Sequence, residues 1–297
     1  MTRLRQLMLE ELQRRNYSKA TARIYVRSVK EFAEFFGRSP ARLGPEHIRQ
    51  YQVYLLKNRK LSPNTVAQRA AALRFLYVKT LRRRYLPEHI PYPKIPLKLP
   101  TVLSKEEVQR MIECTTNLMH RAMLLTLYSA GLRRSELCRL KVEDVDSQRM
   151  MIRIRNGKGG RDREVPLSGK LLEVLREYWR WKKPMEYLFP SDQQKRVGQP
   201  VTDKVIWWLC RKATREAGIK KRVSPHTLRH SYATHMLEAG ADLRTIQVLL
   251  GHQDVQDTVV YLHLSNRHLT AVANPLDRMD VDALAHVSRS RRQLKKR

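Results

Sequence analysis

The chain has 297 residues, with 59 Lys+Arg against 28 Asp+Glu and a formal net charge of +31. That length fits two domains, and a hydrophobic share of 42% suffices to bury real cores, which excludes a disordered basic tail. The excess of cations points to a polyanionic partner, with nucleic acid ahead of an anionic membrane surface.

The N-terminus places Glu10 and Glu11 where a secretory leader is apolar, so secretion is not expected. Ser18 can cap a helix through Phe36, on which Ile24, Val29, Phe32, Phe35 and Phe36 recur at helical spacing. Gly37 ends it. Pro45 and Glu46 open a second helix to about Leu56, and Ser62-Pro63 a third, with Val66, Leu73, Leu76 and Leu81 as its apolar stripe. Residues 1–100 carry 22 basic and 6 acidic side chains, about twice the net charge per residue of the remainder. Residues 87–100 then contain five prolines and no glycine, a semi-rigid extended linker. The predicted division is a helical DNA-binding domain at 1–86, the linker at 87–100, a second domain at 101–275, and a C-terminal segment with a basic tail at 276–297.

The second domain opens on a capping box, Ser104 with Glu107, and helices continue to about Leu140. Its longest apolar run, Ala122–Leu132, is too short to span a membrane. Residues 149–155 and 161–167 alternate and flank Asn156-Gly157-Lys158-Gly159-Gly160, which predicts a hairpin. Helices are expected at about 168–181, 202–217, 225–239 and 242–250. Residues 281–287 could form a short amphipathic piece that docks on a neighbour, or a frayed end. Cys114, Cys138 and Cys210 are odd in number and widely spaced, which argues against a disulfide framework and a cysteine zinc site. The expected fold class is mostly α with a small β-hairpin, in a soluble, reducing, intracellular setting.

Four stretches of this domain carry chemistry: Ala130–Leu137, Gly157–Arg161, His226–His230 and Leu249–His252, with Tyr261 nine residues further on. They offer two arginines, a lysine, histidines and a tyrosine. An arginine fork can hold two phosphate oxygens, lysine and histidine can move protons, and tyrosine can be a nucleophile. Bland readings stand beside these. Tyr261 could be a half-buried aromatic, Lys158 a solvated turn, and Arg134 solvated or DNA-facing. His230 and His235 suit packing or support of groups at the site, and Glu136 and Asp144 suit supporting or structural roles. The His226/His230 spacing could bind a metal, but Arg229 between them would repel a cation, so no metal is expected.

Together these stretches closely resemble the tyrosine recombinase (phage integrase) family, with compact spacing most similar to its Xer-like and mobile-element members. The resemblance implies a helical N-terminal core-binding domain and an α+β catalytic domain. It implies Arg133, Lys158, His226, Arg229, His252 and the nucleophile Tyr261 as catalytic residues. The implied activity is site-specific recombination or integration: cutting and rejoining double-stranded DNA through a 3′-phosphotyrosyl bond, without ATP, metal or other cofactor. His226 is then the candidate base and Lys158 the candidate acid. A homodimer per site, a tetramer in the synapse and a cytoplasmic, nucleoid-associated setting follow, with no membrane partner. A type IB topoisomerase would use similar chemistry, but the short chain and the Leu249–His252 context favour a recombinase. A binding-only relative should lack a member of the set, and none is missing.

Overall fold

In a computed structural model the chain is described at residues 2–84, 89–96, 99–155, 162–262 and 264. It forms two compact units, Met1–Lys98 and Leu99–Arg297. Both are mainly helical, and the second holds a three-stranded sheet.

The first unit contains α1 (Arg3–Arg14), α2 (Lys19–Phe36), α3 (Pro45–Lys57) and α4 (Pro63–Arg74), the last running into a π-helical turn at Phe75–Thr80. The Ser18 hydroxyl accepts the Thr21 N–H at the start of α2, and Gly37 (φ +60°) closes the helix. Ser62 caps α4 in the same way through Thr65. Each cap satisfies a donor that the first helical turn leaves free. Phe32, Ile48, Tyr51, Leu73, Leu76 and Tyr77 fill the core. The Tyr77 hydroxyl donates to the Pro40 carbonyl at 2.9 Å, so this buried polar group is satisfied. Ile24 and Phe35 are each 37% exposed, and the Phe35 ring meets those of Tyr51 and Tyr54.

The second unit begins with α5 (Lys105–Glu113), whose Ser104–Glu107 capping box forms, then α6 (Leu118–Ser129) and α7 (Arg134–Arg139). Strands β1 (Val145–Asp146), β2 (Met151–Ile154) and β3 (Arg163–Pro166) pair antiparallel in that order, with Ile152 opposite Val165. Ile152 and Ile154 are buried and Arg153 is exposed, the alternation a one-sided sheet requires. The first strand of the predicted hairpin starts later than expected. Asp146 Oδ1 accepts the N–H groups of Gln148 and Arg149, and Met150 takes φ +52°, so this stretch is a turn between β1 and β2. Lys158 and the rest of 156–161 lie outside the described residues, as do 281–287 and the basic tail.

Helices α8 (Gly169–Lys182), α9 (Asp203–Glu216), α10 (Pro225–Glu238), α11 (Leu243–Leu250) and the short α12 (Gln256–Val259) complete the unit. Helix α10 is its axis. Leu228, Arg229, Ser231, Tyr232, Ala233, Thr234 and Leu237 are all buried, so the helix meets neighbours on most of its circumference. The three cysteines are unpaired. Among the described residues, no helix is long and apolar enough to cross a membrane.

Candidate active site

The site is assembled where two tight turns meet the buried helix. Gly131 (φ +56°) ends the run after α6, and Gly251 (φ +62°) ends α11. Both adopt the left-handed backbone that glycine tolerates best. Their carbonyls become fixed acceptors for arginine. Arg229 on α10 donates from Nη1 to Gly131 O at 2.7 Å and from Nη2 to Leu250 O at 2.6 Å. Arg133, at the N-cap of α7, donates from Nη2 to Gly251 O at 3.0 Å. Each guanidinium spends only part of its donors this way.

Glu136 holds the cluster together. Its carboxylate accepts the Arg133 backbone N–H at 2.8 Å and Arg133 Nη1 at 2.7 Å. It also accepts Arg163 Nη1 at 2.9 Å and Nη2 at 2.8 Å, while Arg229 Nη1 stands 3.9 Å away. Burial alone would raise the Glu136 carboxyl. The hydrogen bonds and charge of Arg163, then the donors of Arg133, outweigh it and hold the group at about 2. Arg163 further donates to Leu249 O at 2.7 Å. It thus ties β3 to the end of α11. Burial, with Arg133 next, pushes Arg229 down to about 9, so it remains cationic at neutral pH.

Tyr261 lies in a satellite cluster with Tyr232, Leu237, Ile246 and Leu250. It is fully buried. Burial pushes its phenol up to about 12, against the opposing pull of Arg229. Its hydroxyl oxygen is 3.1 Å from His230 Nδ1. The His252 ring stacks beside it, with centroids 6.3 Å apart and planes at 16°, and His252 Nδ1 is 2.9 Å from the Thr258 hydroxyl. His226 stands in the first turn of α10 with its ring 6.4 Å from that of His230. Burial, then the charges of Arg229, Arg134 and Arg133, lowers its pKa.

Arg133, Arg229, His252 and Tyr261 are therefore gathered around two turns, with His226 one helical turn from His230. Arg134 instead reaches Asp203, at 3.3 Å. His235 is a packing residue with its Nδ1 2.8 Å from the Tyr128 hydroxyl. Sequence reasoning misses Arg163 and gives His230 a packing role or a supporting role behind the site. A signal for Arg163 exists, since it shares a strand face with the buried Val165. An arginine on an apolar face needs a buried anion, and Glu136 is that anion. Among the described residues, no three His, Cys, Asp or Glu side chains gather as metal ligands.

Comparison with known proteins supplies the context. Residues 101–268 match the phage integrase family, and residues 4–86 match the phage integrase N-terminal SAM-like domain. A protein of Sinorhizobium fredii described as putative integrase/recombinase y4qK is 49% identical, over 93% of this chain and 89% of its own. Tyrosine recombinase XerA of Pyrococcus furiosus is 37% identical, over 90% of this chain and 92% of its own. The fold is similar to that of XerH site-specific recombinase in a post-cleavage complex with palindromic difH substrate, at a TM-score of 0.69 and 23% identity, over 86% of this chain and 79% of that one.

Proposed function

The chain belongs to the phage integrase family and is a tyrosine-type site-specific recombinase; from that premise we propose that it breaks and rejoins double-stranded DNA with Tyr261 as its nucleophile. The observation that carries this reading is the convergence of Arg133, Arg229, His252 and Tyr261 on the two glycine turns.

The Tyr261 oxygen attacks the scissile phosphorus and the 5′-oxygen departs, leaving a 3′-phosphotyrosyl bond. Negative charge grows on the non-bridging oxygens during attack. Arg133 and Arg229, already fixed by carbonyls and by Glu136, meet that charge without reorganising. Donors of this kind are worth roughly 3–4 kcal/mol each in a transition state. His252 donates a further hydrogen bond. The phenol proton leaves to a histidine of α10, and Lys158 protonates the 5′-oxygen. The covalent bond keeps the phosphodiester energy, so attack by a second 5′-hydroxyl reverses the step without ATP, metal or other cofactor.

In this reading residues 1–86 bind DNA, 87–100 link, and 101–275 carry catalysis. A dimer on each site and a tetramer in the synapse bring the duplexes together, at the bacterial nucleoid. Tyr261→Phe removes one oxygen and little packing. It should abolish denaturation-resistant attachment to a labelled duplex while leaving DNA affinity within about twofold, since phosphate contacts set the affinity. An adduct formed by the Phe variant would move the nucleophile elsewhere.

A further inference from the structure

Two histidines lie on one face of α10, four residues apart, and the structure brings His230 to the tyrosine. Its Nδ1 is 3.1 Å from the Tyr261 hydroxyl, with ring centroids 5.7 Å apart. His226 stands one turn earlier, its ring 6.4 Å from that of His230. Resting on the reading of Tyr261 as nucleophile, we propose that His230 seats the Tyr261 hydroxyl and takes its proton as the oxygen attacks phosphorus.

The seat is well defined from several sides. His230 follows Arg229, whose two carbonyl contacts fix this turn of α10. The His252 ring lies near-parallel to the phenol, with centroids 6.3 Å apart. The hydrogen bond supplies direction that a rotating hydroxyl lacks by itself. In the resting pair, neutral His230 carries its proton on Nε2 and accepts the tyrosine O–H at Nδ1. As the Oη–P bond forms, the Oη–H bond breaks and its proton passes to Nδ1. The P–O5′ bond breaks, and O5′ takes a proton from Lys158. Rejoining runs the same transfers backwards, with the His230 imidazolium returning its proton to the phenolate that leaves.

The charges facing the pair suit a base that becomes competent when substrate arrives. His226 and Arg229 come from α10, Arg133 from the N-cap of α7, Asp257 from α12, and His252 from the turn before α12. Burial, then His226 and Arg229, push His230 down to about 4. Burial pushes Tyr261 up to about 12. The free protein therefore holds a neutral pair and an unreactive phenol. A scissile phosphate between Arg133 and Arg229 offsets the cations that depress His230 and raises its basicity where the proton must go.

The test is single-turnover adduct formation by the full chain on a nicked duplex, from about pH 5 to pH 9, using His230→Gln, His226→Gln and Tyr261→Phe. His230→Gln should lose at least about 100-fold in rate, the scale of a lost general base, and should lose the acid limb of the pH profile with DNA affinity unchanged. His226→Gln should keep that limb. A His230→Gln rate within about threefold of wild type overturns the proposal. So does a slow variant that retains the wild-type limb, because a purely structural role leaves the titration in place. An adduct on Tyr261→Phe would instead sink the nucleophile assignment, a separate outcome. Nitrogen NMR of the wild-type chain gives a measurement that does not depend on the variant folding. His230 should show an unprotonated Nδ1 whose shift changes in Tyr261→Phe; a protonated Nδ1 overturns the proposal.

Discussion

At Glu136 three guanidinium groups face one carboxylate, with Arg133 and Arg163 in contact and Arg229 3.9 Å away. The local surplus of positive charge is what a phosphate would neutralise. Breaking a buried pair of this kind strands the remaining cations. The carboxyl sits at about 2 when folded against an ordinary value of 4.5. Because the folded value is the lower one, its contribution is fully present above about pH 4.5 and is lost as the pH falls towards 2. That shift corresponds to about 3 kcal/mol. Glu136→Gln should therefore destabilise the catalytic unit by about this amount at pH 7, and the gap to wild type should close on acidification from pH 4.5 to 2. All four tryptophans lie between residues 179 and 208, so their fluorescence during urea unfolding reports this unit alone. A gap that stays constant with pH would show that the loss is packing and not charge. Much of this neighbourhood was legible in the sequence. Arg133, Arg229, His252 and Tyr261 could be gathered from linear motifs because each motif places one donor on a turn or a helix. Arg163 and His230 could not be assigned in this way, because their roles depend on the partners they meet: a carboxylate 27 residues away and a hydroxyl 31 residues away.

The elements that position these side chains are set by punctuation the sequence states openly. Ser18, Ser62 and Ser104 each cap the helix expected of them, and Ser168 and Asp242 cap the helices expected at 168–181 and 242–250. Where punctuation is missing, the reading blurs. Helix α1 has no side-chain cap at Thr2, and nothing in the sequence marks it off as a separate helix. Helix α12 is four residues long, less than any periodic signal requires. The turn at Asp146–Met150 is hidden inside an apparently alternating run, since alternation cannot reveal a left-handed methionine. The two glycine turns carry the clearest consequence for function. A Cβ on Gly131 would lie 2.5 Å from Tyr232 Cδ1 and 3.0 Å from Leu250 Cδ2. The Gly131 carbonyl is also the acceptor for Arg229. Gly131→Ala should cost about 1–3 kcal/mol of stability through overpacking and left-handed strain. It should slow adduct formation more than it weakens DNA binding. Gly218 offers the control, because it has φ +66° and a Cβ added there would meet no atom within 4 Å. Gly218→Ala should show the backbone cost alone, about 1 kcal/mol, and normal cleavage. Equal effects of the two substitutions on cleavage would remove the turn from the catalytic scheme.

Across the whole molecule, charge is distributed in a way that no single motif explains. Residues 1–100 hold a net +16 and residues 101–297 a net +15. Charge of one sign in both parts is costly to a compact chain through self-repulsion. It is well suited to a chain whose two units both meet a DNA backbone. Neutralising a phosphate releases condensed counterions, which makes affinity depend on salt. With a dozen or so contacts, the slope of log affinity against log salt should be roughly −10, from about −0.9 per phosphate. Titrating a fluorescent duplex with the full chain at several salt concentrations measures this directly. Tyr261→Phe should keep the same slope, because it removes no charge. The Arg133→Ala slope should be shallower by only about one contact, although its cleavage should collapse, because that arginine acts mainly on charge that develops in the transition state. A wild-type slope near −2 would mean that most of the +31 is directed at something other than a DNA backbone. It would also leave the basic first unit without the role proposed for it.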